Sequence, residues 1–246
     1  MSVEPAVEAL VAQGQSEKTA RQQVEAFVST INDLLSWLSE NGRQFPWRQT
    51  TDPWHVYIAE ILLQRTHAEA VTGVYETFLD RYPNPMQLAD ATENEIYDVV
   101  KSLGFGNQRT RTLQDVALVL VEDHSGAVPK DLDALKKPWR VGPYCARATM
   151  MFAFGIPMSL VDRNFARVAE RVFDYSMPSQ PHKDDQVQQL LEGITPMNGG
   201  LARAFNLAIL DLGALVCLPS SPECNVCPFQ SCCVYGQTQY STDLQS

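Results

Sequence analysis

Residues 217–233 read Cys217-Leu218-Pro219-Ser220-Ser221-Pro222-Glu223-Cys224-Asn225-Val226-Cys227-Pro228-Phe229-Gln230-Ser231-Cys232-Cys233. Five of the six cysteines of the chain lie here, and only Cys145 stands apart. Cys217, Cys224, Cys227 and Cys233 are spaced C-x6-C-x2-C-x5-C, with Pro219, Pro222 and Pro228 breaking helix between them. A disulfide framework is normally spread along a small secreted chain, whereas four thiolates in one compact loop can wrap a tetrahedral sulfur site. By ligand type alone, zinc and an iron–sulfur cluster both fit. Cys232 is a spare thiol beside the four.

Outward from this loop the chain reads as helices. Phe205 to Ala214 forms an apolar helical stretch ending three residues before Cys217. Residues 22–40 place Val24, Phe27, Ile31, Leu34, Leu35 and Leu38 on one helical stripe. Further helices are expected over 54–65, 112–123, 143–154, 185–194 and 201–216. Thr92 and Glu95 stand at capping-box spacing, and Asp162 precedes the stripe of Phe165, Val168 and Val172. No alternating run followed by a hairpin turn is found, so the fold class is all-α, with about ten helices. With 246 residues, 45% hydrophobic and 20% charged, the chain has enough apolar material for a sizeable core. No apolar run is long enough to span a membrane, and the polar, acidic N-terminus lacks the pattern of a secretory signal; a cytoplasmic protein is expected. The formal net charge of -10, from 29 acidic and 19 basic residues, argues against a polyanionic partner unless the local field differs from the sum.

Four further stretches carry chemistry. Lys137-Pro138-Trp139-Arg140-Val141-Gly142-Pro143-Tyr144-Cys145 is a turn entering a helix; such a turn offers backbone N–H groups to a phosphate. Leu160-Val161-Asp162-Arg163-Asn164-Phe165 places a carboxylate at a helix start, as a cap, as a catalytic group or as both. Phe45-Pro46-Trp47-Arg48 precedes Pro53-Trp54-His55-Val56-Tyr57-Ile58-Ala59-Glu60-Ile61-Leu62-Leu63-Gln64-Arg65-Thr66, where Glu60 lies among apolar residues that would raise its pKa. Leu103-Gly104-Phe105-Gly106-Asn107-Gln108-Arg109 holds an aromatic residue between glycines, and Arg109, Arg111, Lys136, Lys137, Arg140 and Arg147 gather around these loops.

Together these motifs, over about residues 45–236, resemble the endonuclease III superfamily of helix-hairpin-helix DNA glycosylases, and most of all its mismatch thymine and adenine glycosylase branches. The resemblance implies a two-lobed all-α fold. A six-helix barrel lobe over 46–158 would carry the hairpin, and a discontinuous lobe over 1–45 and 159–246 would carry a [4Fe–4S] cluster on Cys217, Cys224, Cys227 and Cys233. It implies that Asp162 stabilises the sugar cation of base excision and that Glu60 serves the leaving base or the attacking water. Gln64 and Arg65 would fill the gap left by a flipped nucleotide, Phe105 would wedge between bases, and Arg109, Arg140, Val141 and Gly142 would contact DNA. The hairpin departs from the family pattern: Trp139 replaces its proline and Arg140 its first glycine. Tyr144 stands where bifunctional members carry a lysine, which implies hydrolysis without strand cleavage. The expected substrate is double-stranded DNA with a mismatched or damaged base, acted on by a monomer that removes thymine or uracil opposite guanine. Adenine excision opposite oxidised guanine, a modified base, and a non-catalytic metal-bearing DNA-binding module are the alternatives.

Overall fold

A computed structural model describes residues 2–243, and it is all-helical, with no strand among them. In chain order the α-helices are α1 (Glu4–Ala12), α2 (Glu17–Ser29), α3 (Ile31–Asn41), α4 (Pro53–Leu62), α5 (Ala68–Arg81), α6 (Pro85–Ala89), α7 (Glu93–Val100), α8 (Gly106–His124), α9 (Leu132–Lys136), α10 (Pro143–Phe154), α11 (Arg163–Phe173), α12 (Asp185–Ile194), α13 (Gly199–Leu215) and α14 (Val234–Asp243). These exceed the ten expected because several are only one or two turns long. The chain forms two compact units. A middle unit covers Gln44–Ile156, and an outer unit joins the chain through Arg43 to the chain from Pro157 onward. Acidity is uneven between them: the middle unit has 11 basic and 14 acidic residues, so most of the net negative charge sits on the outer unit.

Local sequence accounts for most helix ends. Asp52, Asn84, Thr92, Asp131, Asp162, Asp184 and Asn198 each accept a backbone N–H from the first turn of the helix they precede. Thr92 and Glu95 complete the expected capping box. The single helix expected over 22–40 is in fact two. At Thr30 the hydroxyl donates to the Phe27 carbonyl at 2.7 Å and the amide to the same oxygen at 3.1 Å, which closes α2 before α3 begins. The break leaves Phe27 in an aromatic group, 5.3 Å from Phe173 and 4.7 Å from Phe229 between ring centroids. Phe229 belongs to the cysteine loop, so the core of the outer unit anchors that loop directly.

In the middle unit, α4 packs against α10 and α8 packs against α6 and α7. Tyr57 of α4 donates its hydroxyl to the Leu135 carbonyl at 2.7 Å, fixing α9 and the hairpin that follows it. In the outer unit the buried Asp211 of α13 accepts from the Arg43 amide at 2.8 Å and from its Nε at 2.8 Å. This contact fixes the chain just where it leaves the unit.

Candidate active site

Glu60 lies on the face of α4 that packs against α10 and is only 6% exposed. Burial pushes its carboxyl up to about 8, with the Arg48 guanidinium opposing the rise. A carboxyl in that state holds its proton at neutral pH and can give it away. α10 begins after Gly142, its N-cap, so Tyr144 is the second residue of that helix and is half-buried. The next residue, Cys145, is buried and lies within electrostatic reach of Glu60. Thus Tyr144 and the buried carboxyl sit on packed neighbouring helices.

The hairpin turn is closed by the Val141 amide donating to the Pro138 carbonyl at 3.1 Å, and Val141 itself is buried. Arg140 has φ 62°, a left-handed conformation that glycine takes freely and that costs other residues about 1–2 kcal/mol. Its carbonyl accepts from Gln64 Nε2 at 3.4 Å, linking the hairpin to the turn after α4. In that turn Arg65 also has positive φ, 56°, and so does Phe105, 53°, at the start of α8. Phe105 is 55% exposed, with the Arg65 guanidinium 5.8 Å from its ring centroid. Two non-glycine residues in left-handed backbone therefore present an exposed aromatic ring and a cation side by side.

Arg109 corrects the sequence reading. Expected to contact DNA, it is only 5% exposed, and its guanidinium donates to the carbonyls of Ile61 at 2.8 Å, Leu62 at 3.0 Å and Gln64 at 3.1 Å and to Thr66 Oγ1 at 2.8 Å. It satisfies the last carbonyls of α4, which have no partner within the helix. Arg109 therefore holds the turn that carries Gln64 and Arg65, and its remaining donor, Nε, is buried as well.

In the outer unit, Asp162 is the N-cap of α11, and its Oδ1 accepts from the Phe165 amide at 2.7 Å. Burial raises its pKa, while the Phe165 and Asn164 amides and the Arg167 charge pull it back. Asn164 Oδ1 accepts from Arg167 at 2.8 Å, and Arg167 also donates to the carbonyls of Gly213 at 2.7 Å and Cys217 at 2.8 Å. The approach depends on Gly213, where a Cβ would lie 2.5 Å from the Cβ of Asn164. A short polar chain thus runs from Asp162 to the first cysteine of the loop.

The four spaced cysteines lie within electrostatic reach of one another. Burial pushes the Cys227 thiol up to about 12, and the charges of Cys217, Cys233 and Cys224 add to the rise. Cys233 is pushed up to about 11 by burial, with its neighbouring thiols contributing. Such a set resists ionising without a cationic centre among the sulfurs, so the donor chemistry fits an iron–sulfur cluster. Arg171, which sequence reasoning missed, donates to Cys217 Sγ at 3.2 Å and to the carbonyls of Leu218 at 2.7 Å and Pro219 at 2.9 Å. The available sign was its position one helical turn after Arg167 on α11. Cys232 turns away toward Thr30, 3.9 Å from its hydroxyl. Among the described residues, no group of three or more His, Cys, Asp or Glu is arranged to hold a single metal ion.

Residues 58–197, spanning the Glu60 helix, the hairpin and Asp162, match the model of the HhH-GPD superfamily base excision DNA repair protein. The chain belongs to this superfamily. It is 38% identical over 207 residues to a thymine/uracil-DNA glycosylase of Pyrobaculum aerophilum, covering 83% of this chain and 90% of the relative. An adenine DNA glycosylase of Mycobacterium tuberculosis is 32% identical over 81% of this chain, but only 66% of the relative is covered. Among solved structures, a thermostable thymine-DNA glycosylase superposes with TM-score 0.80 at 33% identity, covering 89% of this chain and 98% of the other. An endonuclease III–DNA complex, at 22% identity and TM-score 0.73, shares the fold. The HhH-GPD chain described here is therefore a DNA glycosylase, and no helix among its described residues is long and apolar enough to cross a membrane.

Proposed function

We propose that this glycosylase is monofunctional: it flips thymine or uracil out of a pair with guanine in double-stranded DNA and hydrolyses the bond between base and sugar. It would do so as a monomer in the cytoplasm. The observation that carries the reading is Glu60, a buried carboxyl that keeps its proton at neutral pH on the helix packed against the start of α10. In this mechanism Glu60 gives its proton to the departing base as the bond from sugar C1′ to the base nitrogen breaks. The developing sugar cation favours the ionised form of Asp162, which offsets its charge. Water then bonds to C1′, loses a proton, and leaves an abasic site. Gln64 and Arg65 fill the vacated space and Phe105 wedges beside it. Tyr144 offers no amine, so no imine with the sugar forms at this position.

Cys217, Cys224, Cys227 and Cys233 would hold a [4Fe–4S] cluster, whose iron–sulfur bonds brace the loop when it is bound. Support for the base preference comes from the thymine/uracil relatives, which align over nearly their whole length. The adenine glycosylases favour a second reading, excision of adenine opposite oxidised guanine. One assay separates the two: duplexes with G·T, G·U or adenine opposite oxidised guanine, with matched controls, are incubated and then cleaved with alkali. Release of thymine and uracil is expected. Release of adenine alone, or of no base, overturns the reading, and efficient borohydride trapping of a protein–DNA adduct overturns the monofunctional part.

A further inference from the structure

The hairpin is held from two helices of the middle unit. Tyr57 of α4 fixes its entry at Leu135. The second fixed point is Trp139, whose amide donates to Oδ2 of Asp115 on α8 at 2.6 Å. Arg111, one turn before Asp115 on the same face of α8, places its guanidinium carbon 4.5 Å from the Trp139 ring centroid. One hairpin residue is thus gripped by α8 through its main chain and through its ring. The main-chain grip needs an amide hydrogen; a proline, which the family pattern has here, would leave Asp115 nothing to accept. A bond from an amide to a carboxylate is charge-assisted and among the stronger ones a turn can make. Two observations make Asp115 more than a surface acid. Arg140, directly after Trp139, has φ 62°, and a left-handed arginine persists only where its surroundings over-determine it. Three bonds do so here: the Trp139 amide on Asp115, the Val141 amide on the Pro138 carbonyl at 3.1 Å, and Gln64 Nε2 on the Arg140 carbonyl at 3.4 Å. The first is the shortest of the three and the only one made to a charged group. In addition, a carboxylate beside a turn that meets DNA repels phosphates, so by its charge alone Asp115 would weaken binding.

We propose that Asp115 is a positioning residue for DNA binding: by accepting the Trp139 amide it holds the hairpin in its binding shape, and this gain outweighs the repulsion of its own charge. Arg111 seats the ring from the same face of the helix. Because α8 starts beside the exposed Phe105, the bond also fixes the hairpin relative to that ring. The inference rests on the reading that the hairpin meets duplex DNA, and it is independent of which base is removed.

The test uses the sign of an affinity change. Binding of the cluster-loaded protein to an undamaged duplex is measured by fluorescence anisotropy at fixed salt. Asp115→Ala removes both the acceptor and the charge, and affinity should fall about tenfold. Asp115→Asn removes the charge but keeps an oxygen that can accept, and its affinity should equal or exceed that of the wild type. A surface acid with no positioning role predicts tighter binding in both variants, and that result overturns the proposal. Asparagine binding as weakly as alanine overturns it too. In Trp139→Pro, which has no amide hydrogen, adding Asp115→Ala should tighten binding, since only repulsion is left to remove; a tenfold loss in that background refutes the bond as the cause. If Trp139→Pro fails to fold, hydrogen exchange decides: the Trp139 amide should exchange faster in Asp115→Ala than in the wild type, and an unchanged rate refutes the bond. Absence of duplex binding by the wild type would remove the DNA reading and this proposal with it. Failure to release thymine or uracil while the affinities keep the expected order would remove only the substrate reading.

Discussion

Two carboxyls illustrate how position sets chemistry. Asp162→Asn keeps an oxygen that can cap α11 but removes the charge, so the variant should fold and bind DNA while base release falls by at least ~100-fold. Single-turnover release measured beside a thermal melt checks this; normal release would leave Asp162 as a cap alone. Glu60 gives a pH signature. Its folded pKa is raised from 4.5 to about 8, so the unfolded chain releases this proton first. Stability from this group is therefore fullest below about 4.5, falls as pH rises to about 8, and levels off above it. Glu60→Gln has no such titration. Its melting temperature should exceed that of the wild type by a margin that widens from pH 5 to pH 8, with up to ~3–5 kcal/mol at stake. The same variant should release base slowly at every pH, whereas the wild type should lose activity above about 8. A margin that stays flat with pH would contradict the buried, protonated state.

At the scale of elements, the turn after α4 depends on a side chain from α8. Arg109→Leu should cost about 2–4 kcal/mol, because it takes a donor from the carbonyls of Ile61, Leu62 and Gln64 in a buried setting, leaving Ile61 only the Gln64 amide at 3.3 Å and Gln64 only the Thr66 hydroxyl at 3.2 Å. Chemical denaturation measures that loss, and a change below ~1 kcal/mol would refute the capping role. This residue also marks the limit of what sequence conveys. Apolar spacing and caps foretold α10 and α12 to the residue, and Asp162, Thr92 and Pro143 lie where local chemistry puts them. Those signals are local, and a helix start or stripe is set within four or five residues. Arg109 looked like the other arginines near it because its carbonyl partners lie more than forty residues earlier in the chain. The left-handed residue at Arg65 was equally hidden, since no glycine or asparagine marks that turn, whereas Phe105 stands between two glycines and Arg140 holds the place of the family's glycine. The break at Thr30 interrupts a perfect apolar stripe, and only the aromatic packing of Phe27 shows why.

At the scale of the molecule, the chain forms two units with separate cores, and the cysteine loop belongs to one of them. Removing the iron of the proposed cluster, or replacing Cys217 with Ser, should loosen that unit selectively. Hydrogen exchange should show lost protection in α2, α11 and α13 while α4, α8 and α10 of the middle unit keep theirs; equal loss in both would contradict separate cores. Cys232→Ser should retain full iron content, since its sulfur faces Thr30. The outer unit is also discontinuous, and α1 packs on α12 so closely that a Cβ on Gly193 would lie 2.4 Å from the Ala6 amide nitrogen. This has a consequence for biosynthesis. The first three helices leave the ribosome with their apolar stripes uncovered, and α12 follows only after some 150 more residues, a delay of roughly ten to thirty seconds at ~5–20 residues per second. The middle unit is complete before then. A nascent chain of this protein therefore carries a finished unit preceded by an unprotected leading segment, which is the form that a holding chaperone would meet.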